Sequence, residues 1–154
     1  MACLYFDSSA LVKRYVLETG TAWISSLVAP AAGHECVIAT ITGVELLAAF
    51  YLRTRVGSIT VLQAQQAEAA FRGEQLTRFR RISATSPILD LAMQLVARHP
   101  LRAYDAIQLA TALFVHTQRL AANLGTVTFV SADQKLNQAA SAEQLPVDDP
   151  NQHP

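Results

Sequence analysis

Four carboxylates stand at the joints of this chain. Asp7 closes the apolar run Ala2-Cys-Leu-Tyr-Phe6, Glu45 follows Thr42-Gly-Val44, Asp105 lies in Leu101-Arg-Ala-Tyr-Asp105, and Asp133 ends Ser131-Ala-Asp133. An acid that closes a buried strand needs a partner, because stripping water from an unpaired carboxylate is costly. If the four meet, they repel one another, and desolvation worsens the repulsion. Such a cluster is tolerated only with protons, paired cations or a metal ion among the acids. No Lys or Arg lies beside three of the four in sequence; Arg102 is the local exception. A hard divalent cation suits an all-oxygen donor set, and Mg²⁺ takes a few carboxylates while keeping several waters. Those waters and open positions are what phosphodiester hydrolysis requires.

Each acid also has a simpler local explanation. Thr42-x-x-Glu45 matches a capping box, Asp105 could complement the positive end of its helix dipole, and Asp133 could cap the helix that opens at Gln134. Asp105 falls at the margin of its apolar face, in one column with Leu109 and Ala112, which directs it toward the sheet edge rather than open solvent.

The elements that must bring the acids together follow from periodicity. Residues 2–6 read as a strand covered on both faces. A helix follows over 10–18, with Ser8 or Ser9 available as its N-cap, and a short helix over 21–28 precedes Pro30. A second strand over 36–40 leads into a helix ending near Arg55. A long Gln- and Ala-rich helical segment spans 60–80, with a break at Gly73, and a short strand spans 81–85. Ser86-Pro87 opens a helix that stops near His99-Pro100. The helix carrying Asp105 runs to Arg119, a buried strand covers 126–130, a short helix reaches Ala140, and 145–147 suits an edge strand.

Strands alternating with helices predict an α/β layered fold with right-handed crossovers. Helices run antiparallel to the strands they connect, so strand ends and helix starts share one sheet edge. All four acids are thereby expected at the carboxyl edge, where open α/β folds bind ligands.

The composition agrees with a single unit. At 154 residues, 51% hydrophobic and 16% charged, the chain suits one compact domain over 1–147, with a loose Pro- and Asp-rich tail over 148–154. Twelve Lys+Arg balance twelve Asp+Glu, so no global field advertises nucleic acid or membrane, although a local basic rim is compatible with a neutral total. Cys3 and Cys36 lack metal or redox spacing and read as buried thiols of a reducing compartment. With no signal peptide and no membrane-length apolar run, a cytoplasmic location is expected.

At the level of ordered motifs, the chain resembles the PIN-domain family, most closely the VapC toxins of bacterial toxin–antitoxin pairs. The matching pieces are Tyr5-Phe-Asp-Ser-Ser-Ala-Leu11, Thr42-Gly-Val-Glu-Leu-Leu47, Leu101-Arg-Ala-Tyr-Asp-Ala-Ile-Gln-Leu-Ala110 and Phe129-Val-Ser-Ala-Asp133, which in order cover nearly the whole chain. The resemblance implies a PIN-like (Rossmann-like) three-layer sandwich with a mainly parallel central sheet. It implies an endoribonuclease using Mg²⁺ or Mn²⁺, with Asp7, Glu45, Asp105 and Asp133 as metal-binding and catalytic acids and Ser8 and Ser131 as supporting hydroxyls. A homodimer and a small antitoxin covering the active-site groove are also implied. Glu18 matches an acid of similar sequences without an assignable role.

An RNA substrate needs cations around the acids, and Lys13, Arg14, Arg102 and Lys135 lie near them in sequence, although each is equally compatible with solvated surface charge. Tyr104 could stack on a base, but packing against a neighbouring helix is the simpler expectation. Two other functions compete with the nuclease. A haloacid-dehalogenase-like phosphatase would use Asp7 as nucleophile, but it needs a second acid two residues later, where this chain has Ser9. A non-catalytic PIN-like scaffold has no need to maintain clustered acids.

Overall fold

The computed structural model describes residues 1–154. Its centre is a five-stranded sheet, with β1 at Cys3–Phe6, β2 at Glu35–Ala39, β3 at Arg80–Ile82, β4 at Val127–Val130 and β5 at Val147–Asp148. The strands pair in parallel in the order β3-β2-β1-β4-β5. The chain therefore builds outward from β1 in one direction and then crosses to the other side, leaving β1 at the point where strand order reverses. Beyond the carboxyl ends of strands at such a reversal lies the usual ligand crevice of an open α/β sheet.

Seven helices cover the sheet: α1 Ser8–Tyr15, α2 Thr21–Val28, α3 Ile41–Arg55, α4 Val61–Glu74, α5 Ser86–Arg98, α6 Ala103–Ala121 and α7 Gln134–Ala142. β1 shows how they divide. Cys3 and Tyr5 enter a core shared with α5, α6 and α7, while Leu4 and Phe6 enter a second core built with α1, α2, α3 and α4. Successive strand residues point to opposite faces, so a strand buried on both sides must be apolar throughout. The result is the expected three-layer α/β sandwich. Tyr5 also stacks on Phe129 of β4 at 5.7 Å between ring centroids, an aromatic pair that adds roughly 0.5–1.5 kcal/mol beyond its burial.

Several local expectations change. The N-cap of α1 is Asp7 itself, which accepts from the Ser9 amide, rather than Ser8 or Ser9. Gly73 does not break α4, which runs through it and ends at Glu74. α4 opens instead on a full capping box, in which Thr60 and Gln63 satisfy each other's amides. The two cysteines are free and buried on opposite faces of the sheet. No helix is long and apolar enough to cross a membrane.

Residues 148–154, expected as a loose tail, are packed. Asp148 belongs to β5, Pro150–Gln152 form a 3-10 turn, and Pro150 is buried. His153 stacks on Trp23 at 4.0 Å with the rings 7° from parallel, and its Nε2 lies 2.8 Å from Asp148 Oδ1. The Pro and Asp content that suggests looseness instead builds the turn, since Asp149 accepts from the Asn151 amide.

The seat of this tail is Gly20, held at φ +88°, where an added Cβ would stand 2.5 Å from the Pro150 carbonyl oxygen. Left-handed backbone costs a residue with a Cβ about 1–2 kcal/mol. Gly20→Ala is therefore expected to lower the unfolding free energy in urea by at least about that amount. The same variant is expected to change the fluorescence of Trp23, the lone tryptophan. An unaltered urea midpoint and spectrum would contradict this account of the tail.

Candidate active site

Asp7 joins the sheet to its first helix. Its amide donates to Val130 O at 3.0 Å, extending the β1–β4 ladder by one residue, and its side chain is buried. All of its hydrogen bonds fall on one oxygen: Oδ2 accepts from Ser9 N at 3.2 Å, Ser9 Oγ at 2.6 Å and Ser131 Oγ at 3.2 Å. Ser131 Oγ also accepts from the Asp133 amide, and Ser9 Oγ accepts from the Ala132 amide. The two loops at the carboxyl ends of β1 and β4 are thus tied together through serine hydroxyls. Burial is the main cause raising the Asp7 carboxyl above its ordinary range; the Ser9 hydroxyl and amide oppose it, and the charge of Asp105 adds to it.

Glu45 does not close a capping box on Thr42. The N-cap of α3 is Thr40, two residues earlier than that pattern requires, so Thr42 and Glu45 both lie inside the helix. Glu45 instead accepts from Ser8 Oγ at 3.0 Å on Oε2 and from Gln108 Nε2 at 2.6 Å on Oε1. Its carboxyl is also raised, first by burial and then by the negative charges of Asp7 and Asp105, with Gln108 and Ser8 opposing.

Asp105, in the first turn of α6, is half-buried. Burial is the leading cause of its raised pKa and the charge of Asp133 is next, while the backbone and guanidinium of Arg102 work the other way. Asp133 caps α7, with Oδ1 accepting from Leu136 N at 3.1 Å, so the capping expectation holds for it. The four acids form an electrostatic chain: Glu45 is influenced by Asp7 and Asp105, Asp7 by Asp105, and Asp105 by Asp133.

Ion pairing separates Glu45 from the other glutamates. Glu18, Glu35, Glu68, Glu74 and Glu143 all have Lys, Arg or His partners, and Asp148 pairs with His153. Glu45 is the one glutamate without a salt bridge, and Asp7, Asp105 and Asp133 form none either, as is also true of Asp90 and Asp149; Arg102 offsets part of the Asp105 charge from nearby. The donors that reach Asp7 and Glu45 are amides and hydroxyls, which hold a carboxylate but leave its charge uncancelled. At the same time, no three His, Cys, Asp or Glu side chains stand close enough together to hold a metal ion between them. An all-oxygen set in which Asp7 Oδ1 takes no hydrogen bond fits a hard cation that retains waters better than one caged by protein alone.

The basic candidates separate into two pairs. Lys13 is buried, with Nζ 3.6 Å from Glu18, and Arg14 forms a two-pronged pair with Glu74. Both are engaged inside the fold. Glu18 gains a structural role from Lys13 and from Arg53 at 3.0 Å. Arg102 and Lys135 are exposed beside Asp105 and Asp133 in sequence. Of the hydroxyls, Ser8 and Ser131 contact the acids as expected, but Ser9 makes the shortest bond to Asp7 and was absent from the expected set. Its signal in sequence was position alone: a serine two residues after an acid that caps a helix, within bonding range of the same carboxylate. Gln108 was likewise absent from it.

An open cavity of about 580 Å³ adjoins Glu45, lined by Ser8, Ile41, Val44, Ala48 and Tyr104. Tyr104 is 63% exposed, so its ring faces this space rather than packing against a neighbouring helix. A second cavity of about 590 Å³ between α3 and α4 shares Val44 and Ala48 with the first and includes Arg55 and Arg72.

No protein-family model matches the sequence, and no curated protein sequence matches it. Solved structures do. FitAcB from Neisseria gonorrhoeae superposes with a TM-score of 0.64 at 16% identity, covering 96% of this chain and 97% of that one. PAE2754 from Pyrobaculum aerophilum gives 0.64 at 18% identity over 98% and 85%. VapBC2 from Rickettsia felis, bound to a DNA fragment from its promoter, gives 0.61 at 14% identity over 96% and 98%. At these identities the likeness establishes the fold, and the fold is PIN-like.

The uncancelled charge has a measurable consequence. A carboxyl whose pKa is higher folded than unfolded binds more protons in the folded state between the two values, so stability falls as pH rises through that window. Asp7, Glu45 and Asp105 all shift this way, so protein in EDTA should lose stability as pH rises from the ordinary carboxyl range through their raised values. Asp105→Asn should raise the melting temperature in EDTA at pH 7, by about 2–4 °C for each kcal/mol of burial and repulsion cost relieved. That gain should shrink as pH is lowered. A variant less stable than wild type at pH 7 would show that the charge is already compensated.

Proposed function

We propose that this chain is an endoribonuclease that hydrolyses RNA with a divalent cation, Mg²⁺ or Mn²⁺, held by Asp7, Glu45, Asp105 and Asp133. The observation that carries the proposal is that these four carboxylates, from four distant segments, lie along one sheet edge with no salt bridge to any of them. Buried like charges persist only where something neutralises them in the working state. A bound divalent ion would supply a water of lowered pKa and charge compensation at the scissile phosphate.

The chain's own groups have separable tasks. Ser9 and Ser131 hold Asp7 through Oδ2, which would leave Oδ1 available to a cation. Ser8 holds Glu45. Arg102 and Lys135 offer positive charge to the RNA backbone from the rim. The exposed ring of Tyr104 offers a face on which an unpaired base can stack, which suits single-stranded substrate.

The same reading assigns the protein as the toxin of a VapBC-type pair, acting as a homodimer and restrained by a small antitoxin. It draws on the ordered motifs and on the PIN-like fold shared with FitAcB and VapBC2, the latter solved on its promoter DNA. The exposed Val44, on the wall common to both cavities, provides apolar surface beside the acids for an antitoxin segment. A non-catalytic scaffold is the alternative, favoured by the fact that no three His, Cys, Asp or Glu side chains are placed to hold a metal ion between them.

Purified protein should cleave single-stranded RNA with Mg²⁺ or Mn²⁺ and stop in excess EDTA. Asp7→Asn and Asp105→Asn, with far-UV circular dichroism unchanged, should each slow cleavage roughly a hundredfold or more, the scale for removing a direct stabiliser of transition-state charge. Cleavage unaffected by EDTA would remove the metal mechanism, and folded protein with no cleavage under any divalent ion would favour the scaffold.

A further inference from the structure

Gln108 sits one helical turn beyond Asp105, completely buried in the apolar stripe of α6. A primary amide in such a place must satisfy its own donors and acceptor. It does so across three elements: Tyr5 Oη of β1 donates to Oε1 at 2.6 Å, while Nε2 donates to Thr42 Oγ1 at 2.9 Å and Glu45 Oε1 at 2.6 Å, both on α3. The orientation of the amide is dictated by these partners, because a carboxylate can only accept and therefore requires the NH₂ end. α3 and α6 belong to opposite layers of the sandwich, so this side chain reaches over the carboxyl edge of the sheet to grip an acid of the other layer.

We propose that Gln108 is a positioning residue for the acidic site, holding Glu45 where it can receive a divalent cation alongside Asp105, which rises from the same helix. The inference rests on the metal-dependent reading of the site. Glu45 has two uncharged donors, Ser8 on Oε2 and Gln108 on Oε1, and Gln108 is the more buried and the shorter bond. A carboxylate gripped on both oxygens has its remaining lone pairs aimed in a set direction, which a freely rotating glutamate lacks. Groups that orient a metal-binding side chain in this way typically matter about ten- to a hundredfold in affinity.

The test compares Gln108→Leu with Tyr5→Phe. Both disturb the same buried network and both should lower the melting temperature in EDTA, but Tyr5→Phe leaves the bond from Gln108 to Glu45 in place. Calorimetric titration with Mn²⁺ should show binding weakened about tenfold or more in Gln108→Leu and changed less than about threefold in Tyr5→Phe. Equal weakening in the two variants, or wild-type Mn²⁺ affinity in Gln108→Leu, would overturn the assignment. If wild-type protein binds no Mn²⁺, the metal-dependent function fails on its own. The positioning role is then decided by a metal-free crystal structure of Gln108→Leu: a Glu45 carboxylate swung away from Ser8 upholds it, and an unmoved one refutes it.

Discussion

The cost of drawing carboxylates out of water, increased by their mutual repulsion, governs the organisation of this molecule's working end. Glutamates elsewhere on the surface are matched with arginine, lysine or histidine, often in pairs or small networks. At the carboxyl edge of β1, β2 and β4 the matching stops. The groups that approach Asp7 and Glu45 there, serine hydroxyls, backbone amides and one glutamine, orient a negative charge without cancelling it. Folding therefore carries a local penalty that the two large apolar cores must outweigh, a common relation between a stable scaffold and a strained functional site.

Parallel strand order makes this gathering possible. Strands that all point the same way deliver their ends, and the starts of the following helices, to a single edge. The serines then convert proximity into fixed geometry: Ser9 and Ser131 bridge the first and fourth strand ends, so Asp7 and Asp133 cannot drift independently. Very little of this depends on long side chains, whose ordering costs more rotamer entropy than that of serine.

Much of the arrangement was legible in the sequence, and the failures have physical reasons. Asp7 stood out because an acid at the end of an unbroken apolar strand has no solvent of its own. Placement of the four acids on one edge followed from α/β alternation alone. Glu45 carried a misleading local pattern, since Thr42-x-x-Glu45 looks like a capping box until the helix is seen to start two residues earlier. Lys13 lies close to Asp7 in sequence, but the turn of α1 carries its ammonium back to Glu18. Gln108 was hidden for the opposite reason: its partners lie 63 to 103 residues away, and in isolation it reads as a polar interruption of a core helix. The tail misled through composition, because Pro and Asp mark tight turns as readily as slack chain.

That tail touches the acidic edge more closely than its position suggests. The carbonyl of Asp148 accepts from the Ser131 amide, and Asn151 reaches the Ala132 carbonyl at 3.5 Å, while Pro150 is lodged against Gly20. The spacing between the final strand and its proline is thereby clamped at both ends. One extra residue between Val147 and Pro150 would advance the chain by about 3.3 Å and either unseat the proline or drag on the loop that bears Asp133. Length at this point is as constrained as side-chain identity, and insertions harmless in most surface loops would be felt here at the acids themselves.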